Sequence, residues 1–120
     1  MLLEHKYFEV TSESHDNDTA RFVVRLLPDC DVYRGHFPGH PVSPGVCNIE
    51  MVRECFARLC DGTPRIATID RCRFTAVASP SACPELRIAM SWTRDALGYH
   101  LVAEVADGSM KYMDFKGTLK

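Results

Sequence analysis

Three features of the 120-residue chain predict an α+β fold, a long central helix wrapped by a curved antiparallel sheet. One segment, Pro44 to Cys60, carries a sustained apolar stripe at helical spacing. Most of the remaining chain is β-branched or alternates polar with apolar residues. Asp107-Gly108 joins two of those segments with a strong hairpin signal. A helix followed by a meander of strands hides its stripe most simply on the face of that sheet.

Taken in order, Tyr7 to Val10 is short and fits either a strand or the end of a frayed helix, and the polar run Ser12 to Asp18 reads as a turn. Thr19 to Leu27 is rich in β-branched and apolar residues and reads as a strand that Pro28 ends. A loop with prolines at 38 and 41 follows, up to Val42. Ser43 is suited to cap the helix, and Pro44 suits its first position because its missing N–H would be unpaired there. Val46, Ile49, Val52, Phe56 and Leu59 recur at three- and four-residue steps as one stripe. Gly62 supplies a left-handed C′ residue and Pro64 forbids resumption. Seventeen residues from Pro44 to Cys60 would run about 25 Å.

Arg65 to Phe74 reads as a strand of undecided face. Leu86, Ile88, Met90 and Trp92 alternate with Arg87, Ala89 and Ser91, as in a half-buried strand. Tyr99 to Ala106 and Met110 to Phe115 form the hairpin pair. The length predicts one domain over residues 1–120, and a chain of this size buries roughly two-thirds of its unfolded surface.

Hydrophobic residues make up 46% and charged residues 25%, the balance of an ordinary globular protein. A net charge of −2 excludes a global pull toward nucleic acid or membrane, so a basic docking site would have to be a local patch. None of the six cysteines has CxxC spacing, which argues against a zinc ribbon or thioredoxin-type site. The first residues lack the apolar run of a signal peptide, and no stretch has transmembrane length. The expectation is a cytoplasmic protein with reduced thiols.

The chemistry is concentrated between His36 and Glu50. His36 stands on a stiff Pro/Gly-rich loop that leads into the helix, and Glu50 follows six residues after Pro44. Histidine is suited to proton transfer near neutral pH, and a carboxylate is its natural partner. By periodicity alone, Glu50, Glu54 and Arg58 form a solvated helix face with a Glu54–Arg58 pair. His36, read alone, is a loop histidine bonded to backbone.

The segment Gly35-His36-Phe37-Pro38-Gly39-His40-Pro41-Val42-Ser43-Pro44-Gly45-Val46, with Glu50 fourteen residues after His36, closely resembles the 3-hydroxyacyl-[acyl carrier protein] dehydratases. The resemblance implies the hotdog fold, a central helix enclosed by an antiparallel sheet. It implies dehydration of carrier-protein-bound 3-hydroxyacyl thioesters to trans-2-enoyl thioesters, in fatty-acid or polyene/polyketide-type lipid synthesis. It also implies a homodimer whose active sites combine His36 of one copy with Glu50 of the other. By the same resemblance, the Gly45 N–H polarises the thioester carbonyl, and Phe37, Pro44, Gly45 and Val46 line the substrate. Acyl carrier protein is the implied partner, and neither metal nor organic cofactor is called for.

Two departures from the family pattern stand out. Glu54 replaces a family glutamine four residues after the acid, where a second negative charge would raise the pKa of Glu50. Pro80-Ser81-Ala82-Cys83-Pro84-Glu85 replaces a Pro-Gly-Asp turn near the acyl tunnel. They keep two other readings open: a hotdog thioesterase, and a non-catalytic subunit that pairs with an active dehydratase.

The resemblance gives each residue type a task. The enolate that forms when C2 loses its proton needs a fixed dipole, which a helix N-terminus offers. Neutral His36 takes the proton. Glu50 helps hydroxide leave if it is itself protonated. His40 reads as a surface residue. A His36/His40/Glu50 metal site is disfavoured by the intervening prolines. Cys47, Cys55 and Cys60 read as packing residues, and Arg71 and Arg73 as strand-surface residues.

Overall fold

Alternating side chains give strands here because each polar/apolar alternation lets one face pack while the other stays wet. A computed structural model of the chain describes residues 3–31, 44–80 and 84–120. The elements are β1 (Phe8–His15), β2 (Thr19–Leu26), α1 (Gly45–Ala57), β3 (Ile66–Phe74), β4 (Glu85–Asp95), β5 (Gly98–Ala106) and β6 (Lys111–Leu119). The strands form one antiparallel sheet in the order β1-β2-β4-β5-β6-β3. Helix and sheet together make the hotdog architecture.

Phe22, Val24 and Leu26 of β2, Leu86, Ile88 and Met90 of β4, and Leu101, Ala103 and Val105 of β5 point to one face. There they meet Met51, Val52, Cys55 and Phe56 of α1 in a single core. Phe56 fixes the far end of the helix through edge-to-face contacts with Trp92 (5.2 Å) and Tyr99 (5.0 Å). Tyr7 fixes the near end, where its buried hydroxyl donates to Asn48 Oδ1 at 2.7 Å.

The expected strands are present, with differences that have physical causes. Ser12 to His15 is not a turn. It continues β1, pairing with β2 as far as His15–Ala20 after a bulge at Val10/Ser12. Polar residues suit it because β1 is an edge strand and these residues are solvated. α1 ends at Ala57 and not Cys60. Leu59 N–H to Phe56 O and Cys60 N–H to Ala57 O tighten its last turn into 3₁₀ form. Gly62 does not take the left-handed conformation: among the described glycines only Gly98 has positive φ, at 127°. A β-carbon on Gly98 would stand 2.3 Å from Leu119 O, so that turn between β4 and β5 requires glycine.

The β5–β6 hairpin forms as expected, but through the Asp107 side chain. Its carboxylate accepts from Ser109 N and Met110 N, both at 2.8 Å, and from the Tyr112 hydroxyl at 2.7 Å. These bonds, led by that from Tyr112, lower the Asp107 pKa to about 2. No helix among the described residues is long and apolar enough to cross a membrane.

Candidate active site

The helix entrance is built on Pro44, which sits extended (φ −63°, ψ 141°) as the N-cap. Its carbonyl accepts from Cys47 N at 3.1 Å and Asn48 N at 3.2 Å. Among the described residues no side chain caps α1, and its first turn holds no acidic residue. The described residues thus place no compensating group at the positive end of the helix dipole at Gly45. Val46, expected in the apolar stripe, is instead 72% exposed at this tip.

Gly45 faces an aromatic ring. A β-carbon there would lie 2.6 Å from Phe74 Cζ and 2.8 Å from Cε1. Phe74 ends β3 opposite Met113 and remains 53% exposed. Sequence reasoning missed this residue because the face of β3 could not be read: its residues are exposed on both faces.

Glu50 lies one and a half turns into α1, and Arg53 grips it through both oxygens. Arg53 Nε donates to Oε1 at 2.7 Å and Nη2 to Oε2 at 2.5 Å. The third guanidinium nitrogen, Nη1, donates to Pro64 O at 3.0 Å, which ties the fork to the loop after the helix. Only 13% of the Arg53 side chain and 26% of the Glu50 side chain reach solvent. The Arg53 bonds hold the Glu50 pKa below the ordinary carboxylate range, against an opposing effect of burial. This corrects the expectation that Glu54 would raise it: the Glu54 side chain hydrogen-bonds to Glu50 and lowers its pKa further.

Glu54 itself takes the upward shift. It is fully buried. Burial raises its pKa most, the neighbouring Glu50 adds to that, and backbone amides oppose it. Those amides belong to the N-terminal segment: Leu3 N lies 3.0 Å from Oε2 and Glu4 N lies 2.9 Å from Oε1. The expected Glu54–Arg58 pair does not form, because Glu54 turns inward to these amides. Arg58 binds Glu4 at 2.5 Å and Glu13 at 3.2 Å instead. Of the three residues read as a solvated face, only Arg58 is exposed, while Glu50 is half-buried and Glu54 buried.

The thiols fit the packing reading. Cys55 is fully buried, and burial pushes the pKa values of Cys47, Cys55, Cys60 and Cys72 upward, away from nucleophilic use. Arg71 and Arg73 are exposed on β3. His36, Phe37, His40 and Ser43 lie outside the described residues, as does most of the altered turn, residues 81–83. The structure therefore brings together Pro44, Gly45 and Val46 at one helix tip, with Glu50 farther along the same helix.

A model of the ApeI-like family (ApeI dehydratase) matches residues 12–111. The chain belongs to the ApeI-like dehydratase family. It is also similar to the 3-hydroxyacyl-[acyl-carrier-protein] dehydratase FabZ of Bacillus cereus, 30% identical over 91% of this chain and 83% of that protein. The FabZ of Oenococcus oeni is 27% identical over 65% of this chain and 61% of its own length. The chain spans about half to three-fifths of the length of the first curated relatives it matches. Among solved structures, the dehydratase heterocomplex ApeI:P from Xenorhabdus doucetiae superposes with a TM-score of 0.72 at 21% identity. That match covers 92% of this chain and 96% of the other. The hotdog fold read for this ApeI-like chain agrees with it.

Proposed function

We propose that the chain dehydrates 3-hydroxyacyl thioesters, carried on acyl carrier protein, to trans-2-enoyl thioesters. The observation that carries this reading is the His36-Phe37-Pro38-Gly39 loop entering α1 fourteen residues before Glu50, in a chain of a dehydratase family. Two copies complete each site, His36 from one and Glu50 from the other. Neutral His36 removes the C2 proton. The N-terminus of α1 at Gly45 stabilises the enolate oxygen. Pro44, Val46 and Phe37 border the acyl thioester. The C3–O bond then breaks as Glu50, directly or through a water, passes a proton to the leaving oxygen, which departs as water. The product class serves fatty-acid or polyene/polyketide-type lipid synthesis.

The test is steady-state dehydration of a short-chain 3-hydroxyacyl thioester by the purified protein, with His36→Ala and Glu50→Gln beside it. Each variant should lose at least about a hundredfold, the lower scale for removing an acid–base group. Wild-type rates in either variant would end the assignment.

A second reading is supported by the relative described as a heterocomplex. In it, this chain pairs with a different hotdog subunit and supplies half of a mixed site. A purified chain that is inactive alone and active with such a subunit would favour it.

A further inference from the structure

We propose that Glu54 is a positioning residue that keeps a proton at neutral pH and, through it, holds Glu50 in place by a hydrogen bond between the two acids. The inference rests on the dehydratase reading above for its kinetic consequence, and on the described residues alone for its geometry.

The contact between the acids is the starting point. Glu50 and Glu54 stand at i and i+4, on one face of α1. Their side chains are hydrogen-bonded to each other. Two ionised carboxylates have only acceptors to offer, so this bond requires that one of them carry a proton.

Charge counting agrees. Arg53 brings one positive charge to this corner, against two acids. The other guanidinium close by, Arg58, is engaged by Glu4 and Glu13. Glu54 is fully buried, and a buried carboxylate without a cation of its own is costly. One retained proton leaves Arg53, Glu50 and Glu54 neutral as a group.

The donors decide which acid holds it. Glu50 receives the charged Arg53 fork on both oxygens, which favours its ionised form. Glu54 receives neutral amides: Leu3 N (3.1 Å) and Glu4 N (2.9 Å) on Oε1, and Leu3 N (3.0 Å) on Oε2. Oε1 has two donors and Oε2 one, which leaves Oε2 the better seat for the proton. The remaining ionisable groups do not compete. Burial keeps the Cys47 thiol beside Glu50 and the Cys55 thiol beside Glu54 protonated. The amino terminus of the chain pulls on Glu50 in the same sense as Arg53, as the least of the influences on it. His5 lies beside Glu4, whose carboxylate is bound to Arg58.

Glu50 is therefore held from two sides. Arg53 ties it to Pro64 O beyond the helix, and Glu54 ties it to the Leu3–Glu4 backbone. The second tie lasts only while the proton does. Once Glu54 ionises, two carboxylates face each other across one helical turn and repel. The Leu3 and Glu4 amides favour ionised Glu54, so Glu50 is the acid that shifts. A protonated carboxyl that accepts from amides and donates to an acid does the work of a carboxamide.

The experiment compares wild type, Glu54→Gln and Glu54→Met, with folding checked by circular dichroism. The first readout is the titration of both carboxyls by carbon NMR in glutamate-labelled protein, assigned with Glu50→Gln and Glu54→Gln. In wild type Glu50 should ionise first and Glu54 should still be protonated at pH 7. Glu54→Met, which lacks a donor, should move the Glu50 titration upward, and Glu54→Gln should move it less. The second readout is kcat and KM for dehydration of a short 3-hydroxyacyl thioester from pH 5 to 9. Glu54→Met should lower kcat by about tenfold or more with a smaller change in KM, as expected of a misplaced group. Glu54→Gln should rescue most of that loss and hold its rate on the alkaline side, where wild type declines. Glu54 ionised at pH 7 in wild type overturns the proposal. So does a Glu54→Gln protein that declines with alkali as wild type does. A wild-type protein without dehydratase activity would instead defeat the functional reading, and the titration alone would then decide whether Glu54 keeps the proton.

Discussion

The ring of Phe74 occupies the space that a β-carbon on Gly45 would need, with Cζ 2.6 Å from that position. The last residue of β3 and the first of α1 are therefore matched in size. The glycine serves packing at the helix tip as well as any approach of substrate to its N–H.

That match predicts a size-dependent coupling. Gly45→Ala should destabilise the protein by about 1–3 kcal/mol through overpacking. Phe74→Leu should relieve much of this, because the clashing atoms are the far end of the ring. A double-mutant cycle by urea unfolding should show a coupling of at least about 0.5 kcal/mol. Strict additivity would mean the two residues do not compete for space.

Glu54 makes stability fall as pH rises. Its folded pKa is raised by burial. Between the unfolded and the raised folded value, the native state therefore binds more protons than the unfolded chain. Stability is greatest below the unfolded value and is lost as pH climbs through the folded one. Glu54→Gln removes this loss. The urea midpoint of the variant, relative to wild type, should improve from pH 4 to pH 8. A constant or widening deficit would contradict the assignment.

Asp107 acts in the opposite direction. Its folded pKa of about 2 lies below the unfolded value near 3.8. Its contribution is present above the unfolded value and disappears as pH falls through the folded one. Asp107→Asn should be less stable than wild type at pH 7, with the gap closing between pH 4 and pH 2 in thermal melts.

Phe56 should be the costliest core position on the helix. It is 1% exposed and touches both Trp92 and Tyr99 edge-on. Phe56→Ala should lose about 3–5 kcal/mol by chemical denaturation. Phe56→Leu should lose clearly less.

The parts of the fold that were legible are those with a clean period. Leu86, Ile88 and Met90 alternate because one face of β4 meets the helix, and each is buried as expected. The helix itself was legible, but its buried stripe was misjudged. Asn48 and Glu54 lie inside while Val46 lies outside. Apolar periodicity cannot reveal a buried amide satisfied by Tyr7, or a buried carboxylate satisfied by the amides of Leu3 and Glu4. The second half of β1 was hidden for the converse reason, since a solvated edge strand needs no apolar face.

The candidate site was legible where it is a motif and illegible where it is a set of contacts. Gly45 and Glu50 stand on α1 where the loop-to-helix pattern puts them. Arg53 gave no warning, because a residue three places from an acid is usually an exposed partner. Its sheltered fork depends on Pro64 passing close by, which only the folded chain supplies.

The most direct test of the two-copy dehydratase is to mix His36→Ala with Glu50→Gln. Each alone should be nearly inactive on a 3-hydroxyacyl thioester. After unfolding and refolding together in equal amounts, half of the dimers contain both variants, and each of these has one intact site of two. Dehydration should return to about a quarter of the wild-type rate. Mixed dimers, verified by mass, that stay at the background of the separate variants would contradict a site shared between His36 of one copy and Glu50 of the other.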